Sequence, residues 1–195
     1  ITATIIAVTI MGLLVKDKKE VAYPALIGLA GAAGIETSLF FFPRSPLFYG
    51  MVALDPFSAF FKIVFFLATF LVVLFSIASK EVSGSVSLEE YYTSLLGTVL
   101  GMSLLASSLN LLMIYISLEL TSLTSYILTA SMRENRRSSE AGLKYSLYGA
   151  VASGVMIYGM SLIYGMTGSL DLTAIGMKLR MVSAPPQGLT LALLF

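Results

Sequence analysis

Asn110-Leu-Leu-Met-Ile-Tyr-Ile-Ser-Leu-Glu119-Leu-Thr-Ser-Leu-Thr-Ser-Tyr-Ile-Leu-Thr-Ala130 is long enough to cross a bilayer as a helix, and its single charge lies near the middle. A carboxylate at that depth costs at least about 2.5 kcal/mol on insertion scales, so such a residue normally faces a bundle interior or a wet cavity. Lys144 follows in the next apolar run. Two intramembrane charges of opposite sign point to ion or proton handling rather than to passive anchoring.

The composition around this stretch agrees. Of 195 residues, 57% are hydrophobic and only 12% are charged, about half the usual share for a soluble domain. The chain is therefore read as an all-α polytopic membrane protein. Cysteine, histidine and tryptophan are absent. That excludes disulfides and Cys-ligated iron–sulfur clusters and leaves a haem or zinc site almost no ligands, so no cofactor is expected in this chain. The net charge of +1 is uninformative, and nucleic acid is not an expected partner of so apolar a chain. The chain starts at Ile1 within a short apolar run and stops at Phe195 within another, so it is expected to be part of a longer polypeptide.

Hydropathy and breakers divide the chain into helices expected at about 1–15, 21–42, 55–79, 91–109, 110–131 and 139–164, with a seventh starting at 189–195. Gly28, Gly31 and Gly34 permit close helix contact in the second. Asp55-Pro56 opens the third with a capping acid and a proline at the first helical position. Ser138 or Ser139 is the expected cap of the sixth, with Glu140 in its first turn, and a short surface helix is expected near 170–181. Lys16, Lys18, Lys19, Lys80, Arg133, Arg136 and Arg137 fall on one side of this arrangement, and Arg44, Lys178 and Arg180 on the other. The first side is the expected cytoplasmic face, or the matrix or stroma in an organelle, so the chain begins outside.

Glu119 and Lys144 are the candidate site residues. Lys144 lies roughly 9 Å into its helix and Glu119 roughly 18 Å from the same face, so a flexible lysine stem or a water allows pairing. The structural alternatives are a protonated carboxyl bonded to a neighbouring helix and a lysine that snorkels to the surface. Lys62, in the third helix, is equally open to snorkelling, to a local pair with Asp55, or to a coupling role. Asp55 and Glu140 have sufficient explanations as helix-terminal groups, and Glu36 is assigned no role.

The run Glu119-Leu-Thr-Ser-Leu-Thr-Ser-Tyr-Ile-Leu, then Arg137-Ser-Ser-Glu-Ala-Gly-Leu-Lys-Tyr145, Gly149-Ala-Val-Ala-Ser-Gly154 and Tyr158-Gly-Met-Ser-Leu-Ile-Tyr-Gly-Met-Thr-Gly168 resembles the subunit N family of respiratory complex I, the proton-translocating NADH-quinone oxidoreductase. Asp55-Pro-Phe-Ser-Ala-Phe-Phe-Lys62 fits as well. The resemblance implies an antiporter-like helical bundle covered in part, by about six helices plus the start of a seventh, within inverted repeats. It implies that Glu119 is the inward-facing glutamate of helix five and Lys144 the lysine of helix six. Together these would modulate a lysine on helix seven that this chain does not contain. NAD, FMN, iron–sulfur clusters and quinone are then expected in partner subunits. The expected partners are lipid and other membrane-arm subunits, especially neighbouring antiporter-like and small ones. The expected location is a bacterial inner membrane, an organellar one being the alternative. Rival readings are a subunit of a multisubunit sodium/proton antiporter or membrane-bound hydrogenase, and a structural subunit that moves no ion. A dry interior around Glu119 would favour the last.

Overall fold

A computed structural model describes residues 1–15, 18–40, 45–79, 82, 84, 86–180 and 192. The helices, in chain order, are α1 (Thr2–Leu14), α2 (Ala22–Leu39), α3 (Pro56–Ala78), α4 (Leu88–Ala106), α5 (Leu111–Thr129), α6 (Arg136–Thr167) and α7 (Leu172–Arg180), with a 3₁₀ turn at Lys18–Val21. Among the described residues, α3, α5 and α6 are long and apolar enough to cross a membrane, by length and composition. Of the expected seventh span at 189–195 only Ala192 is described, and Lys16, Arg44 and Lys80 lie outside the described residues.

Local chemistry sets the helix ends. The Asp55 carboxylate accepts from Ser58 N at 2.8 Å while the Asp55 amide donates to Ser58 Oγ at 3.4 Å, a reciprocal cap with Pro56 at the first helical position. Asn110 caps α5 by accepting from Leu112 N at 2.9 Å. For α6 the cap is Asn135, which accepts from Arg137 N at 3.0 Å, and not Ser138 or Ser139; Ser138 instead donates to the Thr129 carbonyl at the end of α5. The helix therefore starts at Arg136, before the expected 139, and continues past 164 to Thr167, where Gly168 at φ 63° ends it. At 32 residues it is about 48 Å long, well beyond the hydrocarbon thickness, and its first turn is polar. Helix α4 starts at Leu88, not 91, because Glu89 and Glu90 suit the positive end of a helix and need not stay in the loop.

One departure from the all-α expectation is a small antiparallel hairpin, β1 (Ser45–Leu47) with β2 (Val52–Leu54). Phe48 (φ 50°), Tyr49 (φ 57°) and Gly50 (φ 86°) turn it. Its strands are too short to show an alternating pattern in sequence. The hairpin joins the other connections at its end of the molecule: Ala53 N donates to Ser107 O, Leu109 N to Met51 O, Leu111 N to Leu170 O and Leu172 N to Leu109 O. At the opposite end, Arg133 reaches Glu90 with both bonds at 2.7–2.8 Å.

Helices α1 to α4 enclose a core that includes Val8, Leu29, Val73, Tyr92 and Leu96. Helix α5 packs on α4, α6 on α5, and α7 on α6. The α4–α5 seam is close because α4 presents glycines to α5 threonines: a Cβ at Gly97 would stand 2.7 Å from the Thr124 methyl carbon, and one at Gly101 would stand 2.3 Å from Thr121 Oγ1 and 2.8 Å from Thr121 N. Because a backbone atom blocks the way, Gly101→Ala is expected to cost about 1–3 kcal/mol through forced separation of the two helices. A lowered thermal midpoint of the purified protein would show it, whereas Gly34→Ala, with nothing within 4 Å, serves as the neutral comparison.

Candidate functional site

Glu119 lies eight residues into α5 from its hairpin end and is half-buried. Ser117, Thr121 and Thr124, on one face of α5, meet α4; Thr124 Oγ1 and Thr98 Oγ1 lie 2.8 Å apart. At 3.6 residues per turn, Glu119 stands on the opposite face, in line with Tyr126 seven residues on. Tyr126 packs edge-on against Tyr145 of α6, ring centroids 4.7 Å apart, and its hydroxyl fills the space a side chain at Gly149 would need. Glu119 therefore points along the α5–α6 side and not into the α1–α4 core. It makes no hydrogen bond or ion pair with another described residue. The Tyr126–Gly149 register brings Ser153 to within about 4.5 Å of the level of Glu119 along the helix axes. Ser153 Oγ is buried without a hydrogen-bond partner among the described residues. A hydroxyl and a carboxyl, neither bonded to another described residue, thus lie within about one helical turn of each other along the bundle.

The structure does not bring Lys144 to Glu119. Lys144 is exposed and pairs with Glu140 of its own helix at 2.5 Å. Gly142, which sits against Ala130, fixes the level of this part of α6. From there Lys144 is two residues inward and Glu119 eleven, so the two are separated by about 13 Å along the axis. Lys144 also lies on the far side of α6 from Gly142 and Gly149, the residues that touch α5. Its i,i+4 partner wins because Glu140 and Lys144 share a face whatever the neighbouring helix does.

A pair that sequence reasoning missed is buried elsewhere. Lys62 Nζ of α3 lies 3.3 Å from Glu36 Oε1 of α2, and the two side chains are only 10% and 15% exposed. Lys62 therefore neither snorkels nor pairs with Asp55, whose carboxylate is engaged in the α3 cap. Glu36, given no role from sequence, is its partner. Their attraction at 3.3 Å is about 5 kcal/mol at an effective dielectric near 20, set against a desolvation penalty of several kcal/mol per ion. The pair lines a cavity of about 450 Å³ between α1, α2, α3 and α4, together with Thr4, Gly31, Phe66 and Ser103. A sequence signal did exist: α2 and α3 are consecutive and antiparallel, and each carries its charge within two turns of the end they share.

No group of three or more carboxylates gathers among the described residues to hold a metal ion. Outside the spanning helices, Asp171 accepts from Thr173 Oγ1 at 2.5 Å and from Ala174 N at 2.8 Å, and these bonds hold its carboxyl below the ordinary aspartate range. A lowered folded-state value means that its contribution to holding α7 is complete above the unfolded aspartate range and is lost as pH falls through the lowered value. A lower amide protection factor at Ala174, exchange being taken relative to its slower intrinsic rate at low pH, is the expected observation on acidification through that window, and protection that is insensitive to Asp171→Asn would refute it.

Residues 108–195 match a family described as NADH:quinone oxidoreductase/Mrp antiporter, transmembrane. The NADH-quinone oxidoreductase subunit N 2 of Chloroherpeton thalassium is 52% identical over 135 residues, 68% of this chain and 26% of that protein. The NADH-quinone oxidoreductase subunit N of Chlorobium chlorochromatii is 42% identical over 178 residues, 90% of this chain and 35% of that protein. Among solved structures, a chain of respiratory complex I from Thermus thermophilus with bound aureothin superposes with a TM-score of 0.73 at 30% identity, covering 98% of this chain and 40% of that one. The chain thus spans between about a quarter and two fifths of the length of these proteins.

Proposed function

We propose that this chain, which belongs to the NADH-quinone oxidoreductase subunit N family of antiporter-like membrane proteins, takes part in moving protons across the membrane as a component of a redox-driven quinone oxidoreductase. It is a multi-pass integral protein of the bacterial inner-membrane type. The redox centres then belong to other subunits: NAD, FMN, iron–sulfur clusters and quinone bind there, and this chain supplies protonatable groups. Its partners are other membrane-arm subunits, with the uncovered face of α6 and the aromatic face of α3 as the surfaces available to them.

One observation carries the reading. Glu119 is a half-buried carboxyl in mid-helix, with no partner among the described residues and an unbonded Ser153 hydroxyl near its level. A carboxyl held at that depth without a fixed partner is free to take and give a proton as its surroundings change. Lys144 acts on it from a distance. At 13 Å or more, and a dielectric near 20, their coupling is no more than about 1.3 kcal/mol. Lys144→Met is therefore expected to slow redox-driven proton transport by about tenfold at most, and a complete block would show that the two groups meet in the working complex. The test of the reading itself is proton transport by the intact complex in liposomes with Glu119→Gln, beside an assembly control. Normal assembly with lost transport supports it; an unchanged proton-to-electron ratio overturns it.

The matching family also includes antiporters, and a sodium/proton exchanger would be built on the same helices. A hard cation asks for several oxygen ligands at one point. Sodium-dependent transport by the assembled complex would decide for that alternative.

A further inference from the structure

We propose that the Lys62–Glu36 pair and the cavity it lines form a second protonation site, distinct from Glu119, that exchanges protons with water at the outer end of α1–α4. This rests on the proton-transport reading above and assigns the outer exchange step to particular residues.

The placement argues for it. The cavity draws on the first turn of α1, the last turns of α2, the hairpin residue Val52, the start of α3 and the end of α4. All of these lie at the hairpin end, which the distribution of positive residues makes the outer face. Its volume of about 450 Å³ has room for several water molecules. Its walls are mainly apolar, Phe66 and Leu100 among them, with hydroxyl oxygens from Thr4, Ser103 and Ser107 that can still accept from water, and Gly31 leaves a gap with nothing within 4 Å of where its Cβ would stand. Glu36 and Lys62 are the only charged side chains among its described lining residues. A dry apolar void would need no charges, and a purely structural ion pair would be packed over; here the pair faces open volume.

The step balances with one proton. At rest the pair is an ammonium and a carboxylate. A proton that reaches the cavity bonds to Glu36, cancelling its charge and leaving Lys62 cationic and unpaired. That state is costly away from bulk water. Breaking the new O–H bond, with the proton passing to a cavity water and outward, restores the neutral pair. Glu36 is the group that carries the proton, and Lys62 positions it and drives the release.

The test uses the complete complex in liposomes. Residues 1–195 contain no cysteine, so Ser103→Cys places a thiol in the cavity wall with little change of volume. A membrane-impermeant methanethiosulfonate reagent should label it several-fold faster from the outer face than from the inner. Ser117→Cys, buried against α4 and outside the cavity, is the unlabelled control. Gly31→Leu fills the cavity while leaving both charges in place, and should lower the proton-to-electron ratio with assembly intact. The double variant Glu36→Gln/Lys62→Met, which leaves no buried charge unpaired, should do the same. Absent outer labelling, or wild-type ratios in Gly31→Leu and the double variant, overturns the proposal even if Glu119→Gln blocks transport. Conversely, full transport in Glu119→Gln with loss in the double variant would remove Glu119 from the path and keep the outer site.

Discussion

Lys62→Met is expected to destabilise the protein by about 3–5 kcal/mol, the usual cost of removing one member of a buried ion pair. Methionine replaces the lysine stem well enough that packing against Phe66 and its neighbours is retained. What is lost is the counter-charge, so the Glu36 carboxylate, only 15% exposed, is left without compensation. Glu36 can then take up a proton or draw water, and the wetter the adjoining cavity, the nearer the cost falls to the lower bound. The companion Lys62→Met/Glu36→Gln should recover most of the loss, because two neutral side chains remove the desolvation burden along with the attraction. Thermal dissociation of the intact complex, followed for wild type, both single variants and the double, yields the coupling directly. A double variant whose loss equals the sum of the two single losses would mean that the pair contributes no coupling.

Glu119→Gln is expected to have the largest effect on function. Glutamine keeps the shape and hydrogen-bonding capacity of the side chain but carries no exchangeable acid proton. Positioned acid–base groups typically contribute about 10²- to 10⁴-fold, so transport through this path should fall to background, and on the proposed reading electron transfer in the partner subunits becomes slow or uncoupled. Stability should move little or rise slightly, because a group that is expensive to insert has been replaced by a cheaper one. Glu119→Asp is the informative intermediate: it restores the acid one methylene short, and partial return of transport would show that a carboxyl at that point, and not the bulk of the side chain, is what matters. Dye-reported proton uptake driven by NADH and quinone in liposomes reads the effect.

How far the chain could be read from its letters differs between features. The spanning helices are legible because about twenty apolar residues in a row have few other solutions, and Asp55-Pro56 announces α3 by chemistry that is wholly local. Glu119 is legible for the same reason: its oddity is a property of its own segment. Pairing is another matter. Lys144 had an equally plausible partner four residues away on its own helix, and only the level and rotation of α6 on α5, set by Gly142 and Gly149, separate it from Glu119. Glu36 and Lys62 sit on different helices, each explicable alone as an interfacial charge, and it takes the antiparallel packing of α2 on α3 to join them. The hairpin at Ser45–Leu54 was hidden because three-residue strands carry no usable period.

The stitching of that hairpin to the α4–α5 and α6–α7 connections has a mechanical consequence. Four backbone hydrogen bonds tie Met51, Ala53, Ser107, Leu109, Leu111, Leu170 and Leu172 into one rim. At the other end the tie between Arg133 and Glu90 is exposed, and such surface pairs contribute about 0–1 kcal/mol. The described ties between α4, α5 and α6 at that end run through side chains, Arg133 to Glu90 and Ser138 to the Thr129 carbonyl, whereas the hairpin rim is joined backbone to backbone. A fanning of the three helices would therefore pivot on the rim and displace their basic ends most.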